Sequence, residues 1–271
     1  MIIDTHCHVY YDKYDKDISD VINNAIDAGV KKIICVAVNL KTAEKCFDLS
    51  QKFPSVYMTA GIHPHETEKT PNNYIKEIEQ FLDYKKTVGL GEIGLDYHYN
   101  FSNPKVQIKH YLEQLELAKA YQLPTVVHCR ESENDIYDGI INSESNYGVI
   151  HCFTGNYEFA KKIIDIGYKI SFTGLITFTG ETYKEVIKKI DLSNIMVETD
   201  SPYLTPKPNR GKRNEPKNVC LVIEQISKWK KLPFDEIAEK TTNTALNFFP
   251  KLNVFIFSIL LIFLAIYLLC S

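Results

Sequence analysis

Ile2-Ile3-Asp4-Thr5-His6-Cys7-His8 opens the chain, and the way it reads decides the fold. Its apolar start suits a short buried strand, which then runs into polar residues. Side chains alternate across a strand, so His6 and His8 face one way and Cys7 the other. Two imidazoles on one face of one strand end are a metal-ligand pair by geometry. A lone H-x-H has a bland explanation, since one or both histidines can be core or surface residues. The pattern carries weight because it recurs.

Working outward, strands are predicted at Ile2–His6, Lys32–Val38, Val56–Gly61, Val88–Gly91, Thr125–His128, Val149–Cys152, Tyr168–Phe172 and Ile195–Glu198. Helical patterns lie between and after them, at Ile18–Ala28, Thr42–Phe53, Asn72–Tyr84, Pro104–Tyr121, Asn134–Asn142, Tyr157–Ile166, Thr182–Ile190, Lys217–Trp229 and Phe234–Phe248. Pro104 suits a first helical turn, and Ile108, Tyr111, Leu112, Leu115 and Ala118 form an apolar stripe behind it. Eight strand–helix units over about 250 residues match the size and order of a (β/α)8 TIM-like barrel. An open doubly wound sheet is the alternative, and its glycine-rich G-x-G-x-x-G phosphate turn does not occur. The barrel is expected to span residues 1–250, with an apolar tail over 251–271.

Active sites of such barrels sit at the C-terminal ends of the strands. Of 8 His in the chain, six fall there: His6, His8, His63, His65, His128 and His151. Glu92 and Asp200 end two further strands, and a buried carboxylate needs a cation or a metal. Four imidazoles (His6, His8, His128, His151) and two carboxylates exceed one tetrahedral site. They suit two divalent ions sharing a bridging carboxylate. Strand eight lies beside strand one when the barrel closes, so Asp200 is expected to join His6 and His8 at one ion. His128 and His151 are expected at the other, with Glu92 between. Imidazoles favour Zn²⁺ or Mn²⁺ over Mg²⁺. A water between the ions would be activated for attack on phosphorus or a carbonyl carbon. Asp200 would take its proton, and Glu92 would complete the catalytic pair.

The net charge of -3, from Lys+Arg 31 and Asp+Glu 34, argues against a broadly basic nucleic-acid coat. Seven Cys without a C-x-x-C pair, and no basic leader before an apolar run, lead us to expect a cytoplasmic protein with free thiols. Residues 254–270 are apolar, aromatic or small apart from Ser258, about the shortest run that crosses a bilayer. Three readings of this tail stand: a membrane anchor, a non-native extension such as a frameshift in an AT-rich gene would give, or a buried core helix, which usually keeps a polar stripe that this run lacks.

The segments Asp4-Thr5-His6-Cys7-His8, Gly61-Ile62-His63-Pro64-His65, Gly91-Glu92-Ile93-Gly94-Leu95-Asp96-Tyr97, His128-Cys129-Arg130, His151-Cys152-Phe153-Thr154-Gly155 and Glu198-Thr199-Asp200-Ser201-Pro202, in this order, resemble the TatD-type metal-dependent hydrolases of the amidohydrolase superfamily. The resemblance covers nearly the whole globular part and fills every ligand position. It stops near Phe249, so the tail is outside the pattern. It implies a DNase using divalent ions, often Mg²⁺, with 3′-to-5′ exonuclease action on single-stranded DNA and some on RNA. His63 and Arg130 are then expected to hold phosphate, and Tyr97 to stack on a base. Arg210, Lys212 and Arg213 would steer the backbone. Related barrels hydrolyse amides or lactones, many with a carboxylated Lys on strand four, where this chain has Glu92. Hydrolysis of those substrates or of D-aminoacyl esters is the alternative activity. A membrane-tethered binding protein is a further alternative, whose signature would be missing ligands.

Overall fold

The computed structural model describes residues 1–99 and 101–253. The strands are β1 (Ile2–Cys7), β2 (Val30–Val36), β3 (Val56–Ala60), β4 (Thr87–Asp96), β5 (Thr125–Arg130), β6 (Gly148–Ile150), β7 (Lys169–Phe172) and β8 (Ile195–Val197). They pair in chain order, each parallel to the next. Helices α1 (Ile18–Asp27), α2 (Leu40–Lys52), α3 (Tyr74–Leu82), α4 (Pro104–Ala120), α5 (Glu133–Ser143), α6 (Tyr157–Asp165), α7 (Lys184–Lys189), α8 (Val219–Lys230) and α9 (Phe234–Phe248) surround the sheet. This is a TIM-like (β/α)8 barrel. The expectations for the apolar tail at 254–270 lie outside the described residues, and no described helix is long and apolar enough to cross a membrane.

β1 and β8 are drawn together by a buried side chain. Asp4 Oδ1 accepts from the Thr199 backbone N–H at 2.9 Å, and Oδ2 accepts from the Thr199 hydroxyl at 2.6 Å. Burial pushes the Asp4 carboxyl well above the ordinary range, against the pull of the Thr199 hydrogen bonds. Backbone bonds from Asp200 N–H to His6 O (2.9 Å) and His8 N–H to Ser201 O (2.7 Å) continue the seam. One apolar cluster separates sheet from helices. A second, including Ile3, Ile34, Val88, Val126, Val149 and Met196, is capped by Phe248 at the end of α9 and by Phe249 and Leu252 after it. That apolar seal occupies the end of the barrel opposite the polar strand ends.

Two departures from the sequence reading bear on the site. β4 runs five residues past its predicted end at Gly91, so Glu92 and Asp96 both lie within the strand. It continues because Ile93 through Asp96 keep register with Val127 through Arg130 of β5. Helix α4 presents Gln107 and Gln114, as well as apolar residues, to the interior. The Gln107 amide accepts from Asp96 N–H (2.9 Å) and donates to Asp96 O (3.1 Å). Gln114 does the same for Ile62, at 2.7 and 3.1 Å. Two glutamines seven residues apart thus fix the backbone at Asp96 and beside His63.

Gly94 is where β4 and β5 approach most tightly. Its φ is +130°, and a Cβ there would lie 2.0 Å from the His128 carbonyl oxygen. Only glycine combines that φ with that approach. Gly94→Ala is expected to cost about 3 kcal/mol or more and lower the melting temperature by roughly 6–12 °C, with loss of metal binding through His128. An unchanged thermal transition with full metal occupancy would contradict this.

Candidate metal centre

The structure brings His6, His8, Glu92, His128, His151 and Asp200 together at the mouth of the barrel, and adds His63. Strand alternation accounts for much of this: Val126 faces the interior and so does His128 two residues on, and Val149 is followed likewise by His151. The cleft above the site has a volume of about 860 Å³.

The two oxygens of Glu92 divide the imidazoles. Oε2 faces His6 Nε2 (3.5 Å) and His8 Nε2 (3.7 Å). Oε1 faces His151 Nε2 (2.8 Å), His128 Nδ1 (3.2 Å) and His63 Nε2 (3.4 Å). Asp200 Oδ1 lies 3.8 Å from His6 Nε2 and 3.3 Å from His8 Nε2. Candidate groups therefore form at His6–His8–Asp200, His6–Glu92–His151 and His63–Glu92–His128. His151 stands nearer His6 than the expected division placed it: the rings stack at 4.0 Å between centroids.

Ring partners determine what each imidazole offers. His8 Nδ1 lies 2.8 Å from the Val36 carbonyl, which can only accept, so Nδ1 carries hydrogen and Nε2 turns a lone pair inward. His128 Nε2 lies 2.9 Å from Asp96 Oδ2, leaving Nδ1 free to face Glu92. His6 Nε2 and His8 Nε2 are 3.1 Å apart, and both look at carboxylate oxygens. The His8 lone pair and the carboxylate oxygens converge here, and such acceptors repel one another unless a hydrogen or a cation lies among them. Imidazole and carboxylate donors gathered this way fit divalent ions. His63 differs, because its Nδ1 accepts from the His65 backbone N–H (3.1 Å). Its hydrogen is then on Nε2, which points inward as a donor. Burial lowers its pKa to about 4, outweighing Glu92, so the ring is neutral at ordinary pH.

Burial works to raise the Glu92 carboxyl, but His151 and His63 beside it hold it well below the usual range. Asp200 is likewise buried, and its bond with His8 keeps it low and ionised. Its φ is +54°, in the left-handed region, held by the bond to His6 O. Burial would lower His8, His128 and His151. Asp200 raises His8 instead, Asp96 raises His128, and Glu92 with Glu198 raises His151.

Asp96 and Glu198 are functional residues that the sequence reading passed over. Asp96 Oδ2 accepts from both His65 and His128 at 2.9 Å, and Oδ1 accepts from the backbone N–H groups of His98 and Tyr99. Glu198 Oε1 accepts from Cys152 N–H (2.7 Å) and lies 3.5 Å from His151 Nδ1, while Oε2 accepts from Ser171. The signal was even spacing: Asp96 follows Glu92 by four residues, and Glu198 precedes Asp200 by two.

Four expected substrate contacts are corrected. Tyr97 points away from the cleft and bonds Asp135 (2.5 Å), because Asp96 faces inward and its neighbour must face out. Arg213 is spent on Asp17 (2.6 and 2.9 Å) and Glu215 (3.0 Å), which pin the loop to α1. Arg210 stacks on Phe178 (3.7 Å) and bonds Thr205 O. Lys212 is exposed but does not line the cleft. Arg130 does line it, together with Tyr11, Tyr99 and Tyr203.

Residues 3–250 match the model of the family described as TatD related DNase. The chain is 35% identical over 252 residues to the uncharacterized metal-dependent hydrolase YabD of Bacillus subtilis, covering 92% of this chain and 99% of the relative. It is 31% identical over 228 residues to the 3′-5′ ssDNA/RNA exonuclease TatD of Salmonella typhimurium, covering 80% and 87% of the two chains. The crystal structure of YjjV, a TatD homologue of Escherichia coli, superposes with a TM-score of 0.87 at 30% identity, over 92% of this chain and 98% of that one.

Protons compete with metal for His8, His128 and His151, and these are the rings whose pKa values are raised. Metal affinity is therefore expected to fall as pH drops from 8 to 6, since binding displaces protons from these rings. Calorimetric titration with Mn²⁺ or Zn²⁺ across that range checks this. A flat affinity would contradict it.

Proposed function

The chain belongs to the TatD-related DNase family and is a metal-dependent hydrolase, and from that premise we propose that it is a two-ion deoxyribonuclease with 3′-to-5′ exonuclease action on single-stranded DNA. The observation that carries the two-ion reading is the split of Glu92: one oxygen toward His6 and His8, the other toward His128 and His151. Mg²⁺, Mn²⁺ or Zn²⁺ would be held by His6, His8 and Asp200 on one side and by His128 and His151 on the other, with Glu92 shared. The exonuclease polarity is supported by the name of the Salmonella relative.

Divalent ions in such a site supply positive charge to the phosphoryl oxygens and lower the pKa of water. The chain's own residues do the rest. Both carboxylates line the cleft, and Asp200, with a side-chain exposure of 15% against 4% for Glu92, is the more accessible of the two. Ionised by its bond with His8, it can accept the proton of an attacking water. His63 directs a neutral Nε2–H at the oxygens gathered around Glu92, where a non-bridging phosphate oxygen would arrive. Arg130 on the rim offers a bidentate fork to the neighbouring phosphate.

Glu92→Ala is expected to leave fewer than one ion per chain and reduce turnover by at least about 10³-fold; full occupancy would sink the shared-ligand role. Substrate class is tested with the full chain and Mn²⁺ on strands labelled at either end. Stepwise loss of 3′-terminal nucleotides from single strands, slower on blunt duplex, supports the reading. Hydrolysis of lactones, amides or D-aminoacyl esters with intact DNA would overturn it.

A further inference from the structure

We infer that Tyr99 and Phe101 form a stacking shelf for the unpaired base beside the scissile phosphodiester. This deepens the nuclease reading above and rests on it. The two rings are nearly parallel, 18° apart with centroids at 5.4 Å. They are also exposed, Tyr99 by 40% and Phe101 by 60%. This exposed tyrosine–phenylalanine pair, with Tyr99 in the cleft, is unlike the stacked pair Phe153 and Phe159, where Phe153 is buried in the core.

The shelf is coupled to the metal centre through a short chain of contacts. Phe101 and Tyr99 meet the His65 ring edge-on at 4.9 and 5.6 Å. His65 shares Asp96 Oδ2 with His128, whose other nitrogen faces Glu92. Asp96 Oδ1 also holds the backbone at Tyr99 (2.9 Å), so the carboxylate that orients His128 positions the shelf as well. Tyr99 lines the same cleft as Glu92, His128 and Asp200, so a strand held at the metal centre passes beside the shelf.

Charge agrees with this occupant. The Arg130 guanidinium lies 4.8 Å from the Tyr99 ring centroid and, among the described residues, makes no ion pair. Glu131, the acid next to it, is turned to His98 at 2.6 Å. With Arg130 over the Tyr99 ring and Phe101 stacked against it, the more exposed Phe101 ring is left to meet a base and the guanidinium to meet the phosphate attached to it. On the other side of the cleft, Tyr11 and Tyr203 meet at 78°, an arrangement that offers no continuing stack. Base pairing would bar access to the shelf's faces, so the shelf selects unpaired strands.

The test compares a single strand with one of equal length whose three 3′-terminal residues lack bases. The wild-type chain with Mn²⁺ is expected to favour the base-bearing strand about ten-fold in kcat/KM. In Tyr99→Ala/Phe101→Ala that preference should fall to about one, and Tyr99→Trp/Phe101→Trp should restore it. General damage to the site would lower both rates and keep their ratio, and a retained ratio overturns the shelf. Quenching of 2-aminopurine at the 3′ end of a phosphorothioate strand reads stacking without turnover. Quenching lost in the alanine variant supports the shelf even if no strand is cleaved, an outcome that would count against the nuclease reading alone. Equal quenching in both proteins overturns the shelf.

Discussion

The Glu92 carboxylate, buried among five imidazoles, is the constraint on which the rest depends. An isolated charge there would cost several kcal/mol. Rings on both of its oxygens offset that cost, and a divalent metal held among them would turn it into binding. The fold supplies the geometry by bringing β1, β4, β5, β6 and the chain after β8 to one mouth, while the apolar cluster around Phe249 fills the opposite end.

Around Glu92, most of the rings face a partner that bears on their role, although His6 Nδ1 has none among the described residues. The Val36 carbonyl, Asp96 and Glu198 address the outer nitrogens of His8, His128 and His151. Such outer contacts fix ring orientation and ligand basicity. His63 is set the opposite way by a backbone N–H, which makes it a donor among acceptors. Gln107 and Gln114 lock the strand ends from α4, and Asp4 fastens β8 to β1 so that Asp200 arrives beside His6 and His8. The site is therefore preorganised by bonds that reach well beyond the candidate ligands.

The barrel was legible because buried parallel strands are short apolar runs, and because histidines at their ends fall on one rim. His6 and His8 could be placed on one face by alternation alone. The end of β4 was not legible, since Ile93 to Asp96 gain their strand character from β5. Asp96 and Glu198 stood in plain view in their motifs, yet their roles depend on His128 and His151, far off in sequence. Arg213 read as a free cation because nothing local reveals Asp17, nearly two hundred residues away, as its partner. Tyr97, expected from the resemblance to stack on a base, follows the inward-facing Asp96 and so turns outward, whereas β4 ends at Asp96 and the bond from Tyr99 N–H to Asp96 Oδ1 sets Tyr99 at the cleft.

Two ions sharing Glu92 is the central claim, and anomalous diffraction from crystals of the full chain grown with Mn²⁺ or Zn²⁺ tests it most directly. The account predicts two peaks about 3.5–4 Å apart, one beside Glu92 Oε2 with His6, His8 and Asp200, the other beside Oε1 with His128 and His151. A single peak at full occupancy, or a second ion that leaves Glu92 unbound, would contradict it.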